Sequence, residues 1–180
     1  YTCEANDEGK LFNGEEKYAK AEIVYYGETG VLPVNVIEII LVNAQNTGFA
    51  NFYCYGSLAN IENVYGTFKV AAKHEEATMA KGPGISMTEA VAFPSFIARN
   101  YSSNGADFYF VKDGSLTVEE GKISFDLTSV NGSKITTNFE GEIDIKSYEE
   151  AYGQNAPKKA AALMNISKGF KLTNPGVVKF

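Results

Sequence analysis

Between Lys112 and Lys146 the chain alternates, and that alternation constrains its fold more than any other feature. Leu116, Val118, Ile123, Phe125, Leu127, Ile135, Phe139, Ile143 and Ile145 recur at even spacing, with polar residues filling most positions between them. A period of two puts one face of each strand in a core and the other in water. The stretch therefore predicts antiparallel strands joined by tight turns. The register of the first turn follows from side-chain matching. With Glu120-Gly121 as a two-residue type I′ turn, Glu119 faces Lys122, Val118 faces Ile123, Leu116 faces Phe125 and Ser115 faces Asp126. Gly121 suits the positive φ that such a turn requires. A two-residue turn at Asn131-Gly132 would set Phe125 against Asn138 and mix buried with exposed positions. A three-residue loop over Asn131 to Ser133 restores the match, with Phe125 facing Phe139, Ser124 facing Glu140 and Lys122 facing Glu142.

The rest of the chain reads as further strands. Ala21 to Gly27, Val34 to Asn43, Phe49 to Leu58 and Tyr65 to Ala72 are strand-like. Pro33 delays the second of these, and Gly56 breaks or kinks the third. Val34 to Asn43 (VNVIEIILVN) is apolar on both alternations apart from Asn35 and Glu38, which predicts burial on both faces. Residues 73–89 contain Gly82-Pro83-Gly84 and read as a long loop able to carry function. Ala90 to Asn100 reads as an edge strand because of Pro94, and Asp107 to Val111 as a strand leading into Lys112. Pro157 to Met164, capped by Asn155, is the helix candidate, and segments at 170–172 and 177–180 are candidates for a last strand. Residues 1–19 are a polar leader to a single β domain spanning 20–180. The expected fold is an all-β antiparallel sandwich or flattened barrel of about eight to ten strands with one short C-terminal helix. A closed lipocalin-like barrel is the alternative.

Composition narrows the function classes. The 180 residues carry 16 basic and 22 acidic side chains, a formal charge of −6, and no basic cluster longer than Lys158-Lys159. A nucleic-acid surface needs a positive stripe, so nucleic acid is not an expected partner. Apolar runs fall far short of the roughly 20 residues of a membrane helix. Aromatic residues make up 13% of the chain, all Tyr and Phe, in keeping with strands. Two cysteines are too few for a disulfide framework. Cys54 falls in an aromatic strand and is expected to be buried. For Cys3 a free thiol, a bridge to Cys54 and a lipidated residue are all open, with a free, loosely ordered thiol expected. The first residue is Tyr1 rather than Met, so a processed product is expected.

Chemistry-bearing residues are sparse. His74, the sole histidine, stands beside Glu75 and Glu76. Metal-binding helix motifs need a second histidine and a triad needs a nucleophile, so a solvated loop histidine is the ordinary reading. Glu140, Glu142 and Asp144 alternate, with Asp126 and Glu120 across from them; carboxylates so placed can bind Ca²⁺ or act as a glycosidase pair. The plainer reading is the wet face of a sheet, with Lys122 and Lys134 as partners. Lys81 with Gly82-Pro83-Gly84 lacks the spacing of a phosphate loop. The tyrosine pairs Tyr25-Tyr26, Tyr53-Tyr55 and Tyr101-Tyr109 offer stacking platforms for a sugar, although alternating aromatics usually fill cores. The candidate ligand-binding set is Tyr53, Tyr55, His74, Glu75 and Tyr101. No catalytic residue, metal or cofactor is predicted.

Four segments together carry a resemblance: AEIVYYGE at 21–28, VNVIEIILVN, GTFKV at 66–70, and GSLTVEEGKISFDLTSVNGSKITTNFEGEI at 114–143. They resemble a functionally uncharacterised family of secreted Bacteroidales lipoprotein β domains. Gly114, Leu116, Thr117, Val118, Phe125, Asp126, Leu127, Thr128, Asn131, Gly132, Lys134, Ile135, Phe139 and Gly141 match the family's final meander. Thr136 or Thr137 stands where the family usually has Gly. The resemblance implies an exported cell-envelope lipoprotein, tethered by a lipid upstream of Tyr1, and transfers no catalytic residue. The expected function is a non-catalytic surface module, monomeric, that binds carbohydrate or another envelope protein. A structural or adhesive component of a surface assembly comes second, and a glycan hydrolase with paired carboxylates third.

Overall fold

The computed structural model describes residues 10–82 and 94–153. Eleven strands lie among them: β1 Gly14–Glu15, β2 Lys20–Tyr25, β3 Asn35–Val42, β4 Phe49–Gly56, β5 Gly66–Ala71, β6 Thr78–Ala80, β7 Phe96–Ser102, β8 Gly105–Glu119, β9 Lys122–Ser129, β10 Lys134–Glu140 and β11 Ile143–Ser147. One short helix, α1, covers Tyr148–Tyr152. The helix expected at 157–164, the end segments at 170–172 and 177–180, and Cys3 all lie outside the described residues.

β4, β6, β5, β8 and β7 pair in a closed ring of five strands. Two wings extend from it, with β9, β10 and β1 beyond β8, and β3, β2 and β11 beyond β4. The wings face each other across one core. Ile23, Ile37, Ile39, Leu41 and Phe52 from one side share a single buried cluster with Leu116, Ile123, Phe125, Leu127, Ile135 and Phe139 from the other. The Phe52 and Phe125 rings meet edge to face at 5.3 Å. The fold is thus the all-β flattened barrel that the alternation predicts. Most pairs are antiparallel, but β1 with β10, β11 with β2 and β5 with β6 are parallel. The first two arise where the chain crosses between the wings, since a crossover can return a strand in the same direction.

The first hairpin has the expected register, Glu119 opposite Lys122, Val118 opposite Ile123 and Leu116 opposite Phe125. Its turn differs from type I′: Gly121 takes φ +67°, whereas Glu120 keeps a negative φ. The second connection has three residues, but it spans Val130 to Gly132 rather than Asn131 to Ser133. Ser129 N donates to Ser133 O at 2.8 Å, and Ile123 faces Phe139 while Phe125 faces Thr137. The reason is backbone chemistry. The last residue of such a loop is left-handed, and Gly132 fills that position at φ +89°, where Ser133 would be strained. The shift moves the register by two residues, so every side chain keeps its predicted face.

Two further expectations change. Residues 73–89 are not loop throughout: Thr78–Ala80 form β6, which joins β4 to β5 and is too short to show alternation. β7 is not an edge strand, because it pairs with both β4 and β8. Pro94 precedes the ladder and costs no bond there, while Ser95 bridges the gap: its Oγ accepts from Tyr53 N at 3.1 Å and its carbonyl from Val111 N at 3.0 Å. Residues 107–111 lead into Lys112 as expected, as the first part of the 15-residue β8. A register shift between Val111 and Asp113 lets one part of β8 pair with β7 and the other with β5.

The described part of the leader lies against the barrel. Phe12 and Tyr18 pack on the core, and Tyr109 Oη donates to Lys10 O at 2.8 Å. Arg99, the sole arginine, pairs with Glu16 and lies 3.5 Å over the Phe12 ring.

Gly114, at φ +114°, is the tightest point of β8. A Cβ there would stand 2.1 Å from Asp126 O and 2.9 Å from the Leu127 Cα. Gly132→Ala meets no atom within 4 Å and carries only backbone strain. Chemical denaturation should therefore show Gly114→Ala losing about 3 kcal/mol or more, against about 1–2 kcal/mol for Gly132→Ala.

Candidate functional site

β3 is buried on both faces. Ile37, Ile39 and Leu41 point into the main core, whereas Val36 belongs to a second cluster with Val24, Tyr26, Leu32, Val34, Tyr53, Tyr55, Ala80 and Tyr148. Asn35, fully buried at the start of β3, accepts from Gly27 N at 2.8 Å and donates to Ile61 O at 2.9 Å, so both ends of its amide are satisfied. The second cluster is covered in part by α1. Ser147 and Glu150 form a capping box, with Glu150 Oε2 accepting from Ser147 N at 2.7 Å and Ser147 Oγ from Glu150 N at 3.2 Å. The Tyr148 ring lies 4.9 Å from that of Tyr26, and the Tyr152 ring 4.9 Å from that of Tyr148.

Glu38 sits within this cluster and is 5% exposed. Burying a carboxylate is costly unless donors replace its water. Tyr26 Oη donates to it at 2.8 Å, Asn51 Nδ2 at 3.1 Å, Tyr152 Oη at 3.1 Å and Tyr53 Oη at 3.4 Å. Burial, and then the adjacent Glu38, push the Tyr26, Tyr53 and Tyr152 phenols above the usual tyrosine range, which keeps them neutral donors.

Beyond Glu38 the same outer face opens into a groove of about 460 Å³ lined by Lys20, Glu22, Ile40, Val42, Glu142 and Asp144, with Ala19 and Ala21. Glu22 stands opposite Ile40 on β3 and Asp144 on β11. Lys146 Nζ ties the two carboxylates together, 2.8 Å from Asp144 and 3.2 Å from Glu22, and those hydrogen bonds, Asp144's first, raise the pKa of its ammonium group. Ile40 follows Glu38 on the outward row of β3. Tyr152, bonded to Glu38, is not a lining residue but lies toward that end, close enough to Glu22 for its charge to be among the causes of the raised phenol. Its side chain is 47% exposed. The groove thus offers an aliphatic floor and charged hydrogen-bonding groups, and the accessible Tyr152 ring lies outside its lining.

None of the sequence-predicted ligand-binding residues lines the groove. Tyr53 and Tyr55 are buried at 4% and 0% exposure as parts of the second cluster rather than as open platforms. His74 and Glu75 lie in the β5–β6 link. The His74 ring meets that of Tyr55 edge on at 4.9 Å, and Glu75 O accepts from Thr78 Oγ1 at 2.7 Å. Tyr101 packs on Phe49 at 5.9 Å, at the opposite end of β4 from Tyr55. The structure thus gathers Tyr53, Tyr55, His74 and Glu75 around β4 to β6 and leaves Tyr101 apart. The acidic row does not lie on one strand: Glu140 ends β10 opposite Lys122, Glu142 lies in the link, and Asp144 is in β11. Cys54 is a buried free thiol, and burial raises its pKa. Among the described residues there is no group of three or more His, Cys, Asp or Glu suited to a metal, and no helix long and apolar enough to cross a membrane. Tyr26, Tyr152 and Glu22 were not in the predicted set. Glu38, lone acid in an apolar strand, and Glu142 and Asp144 of the acidic alternation were the local signals of this region.

No family model, curated protein or solved structure matches the chain.

The tyrosines around Glu38 make a pH prediction. Their folded pKa values lie above the usual 10.0, so the stability they contribute is full below that pH and is lost as pH rises past it. Alkaline titration by phenolate absorbance should show Tyr26, Tyr53 and Tyr152 ionising only together with loss of near-ultraviolet circular dichroism.

Proposed function

We propose that this chain is a non-catalytic binding module of a bacterial cell envelope whose groove takes a carbohydrate. The observation that carries the reading is the groove itself, with its aliphatic floor and charged hydrogen-bonding groups, and the half-exposed Tyr152 ring lies outside its lining toward the Glu38 end. Sugars present apolar C–H faces and a rim of hydroxyls. An aromatic ring stacks on the first, and carboxylates and ammonium groups bond to the second. The cell-envelope setting is supported by the sequence resemblance alone.

An envelope protein is the second reading, and one feature favours it. β11 ends the strand order, with β2 on one side and no strand on the other among the described residues. An open edge of this kind accepts an added strand from another chain.

Glycan-array screening followed by calorimetry tests the first reading. A saturable ligand is expected, with Tyr152→Ala and the Glu22→Ala/Asp144→Ala pair each weakening it at least tenfold, about 1.4 kcal/mol. Absence of any glycan ligand, or binding indifferent to both changes, would overturn it. Strand addition instead predicts a partner whose capture is abolished by Ile145→Pro in β11.

A further inference from the structure

Tyr152 closes a helix of only five residues. A helix that short has no stability of its own and is held by what it touches. Tyr148 is its buried anchor, at 4% exposure. Among the described residues the Tyr152 ring meets that of Tyr148, and its hydroxyl donates to Glu38 Oε2 and also meets the Tyr26 hydroxyl. The rest of the ring is open. Gly153, at φ +71°, caps the helix, its N–H bonded to Glu149 O at 2.8 Å. Without the Glu38 bond, the Tyr148 ring and the Tyr26 hydroxyl would be its remaining partners among the described residues.

The acceptor is rigid where the donor is not. Asn51 and Tyr53 come from β4 and Tyr26 follows β2, so three of the four donors to Glu38 belong to the sheet or its immediate continuation. These hold the carboxylate whatever α1 does. Its Oε2 is shared between the sheet-side Tyr26 and the helix-side Tyr152. The carboxylate is 5% exposed, whereas the Tyr152 side chain is 47% exposed, so of the two only the tyrosine is open to a ligand.

We infer that Glu38 is a positioning residue for the groove: it fixes the Tyr152 ring, through the phenol, in the orientation that stacks on a sugar. This rests on the carbohydrate reading given above. Preorganising a rotatable side chain lowers the entropy lost on binding, so affinity should depend on a residue that never meets the ligand.

Tyr152→Phe keeps the ring and removes only the hydroxyl. Glu38→Met removes the acceptor at similar volume but leaves Tyr26, Tyr53 and Asn51 without it, so it is the variant at risk of misfolding. Each is measured for affinity to the array-selected glycan, for melting temperature, and for amide exchange across 148–153. The expected result for Tyr152→Phe is about fivefold weaker binding and faster exchange over 148–153, with β2 to β4 unchanged. Where Glu38→Met folds, the double variant should lose no more affinity than the weaker-binding single one, because both changes break the same link. Unchanged affinity and unchanged exchange in Tyr152→Phe would overturn the inference, as would additive losses in the double variant. If the wild-type protein binds no glycan, the carbohydrate reading falls. The exchange measurement then decides the Glu38–Tyr152 link separately: faster exchange upholds it and unchanged exchange overturns it.

Discussion

The ring of β4, β6, β5, β8 and β7 depends on one irregularity, the register shift in β8 between Val111 and Asp113. A strand has two edges, yet β8 serves three neighbours. β9 runs along one edge, while β7 and β5 share the other in succession. A regular strand would keep both partners in one twisted plane. The bulge bends β8, and Gly114 allows the backbone of β9 to approach where a Cβ would strike Asp126 O. Once β8 turns this corner, β7 can reach β4 and the sheet closes. The wings then face each other and bury Phe52 against Phe125.

A second constraint shapes the outer surface. A strand packed on both faces has no wet side for a charge, yet β3 carries Glu38 in its middle. The protein surrounds that carboxylate with three phenols and an amide, and the aromatic cluster built for the purpose also seats α1. The groove begins where this covering ends. The candidate site and the buried charge are therefore neighbours on one face: the donor set that makes Glu38 tolerable brings the Tyr152 ring within electrostatic reach of Glu22.

Much of the fold was legible because alternation reports which face a side chain takes. The strands over 20–56, the two hairpins after β8 and the double burial of β3 could all be read from residue order. The same reading placed the second loop one residue late. Matching of apolar pairs cannot distinguish registers that differ by two, whereas Gly132 can, through the backbone angle its position demands. β6 escaped because three residues carry no period, and β7 was taken for an edge because Pro94 was counted within the strand rather than before it. At the site, tyrosine and carboxylate composition drew attention to Tyr53, Tyr55, His74, Glu75 and Tyr101. Burial removes the first two from the surface, and topology separates the last from the rest.

Residue order by itself determined the all-β class, the inward and outward faces, the first hairpin register and the anomaly at Glu38. Tertiary structure alone decided that the sheet closes, that β7 has two partners, and that Tyr152 meets Glu38 from 114 residues away. A period of two encodes a face but not a neighbour, so the same pattern is compatible with many strand orders. A hydrogen bond between distant residues leaves no mark on either local sequence. It exists only because β10 hands the chain across to β11, and β11, pairing with β2, delivers α1 to the outer face of the sheet that holds Glu38.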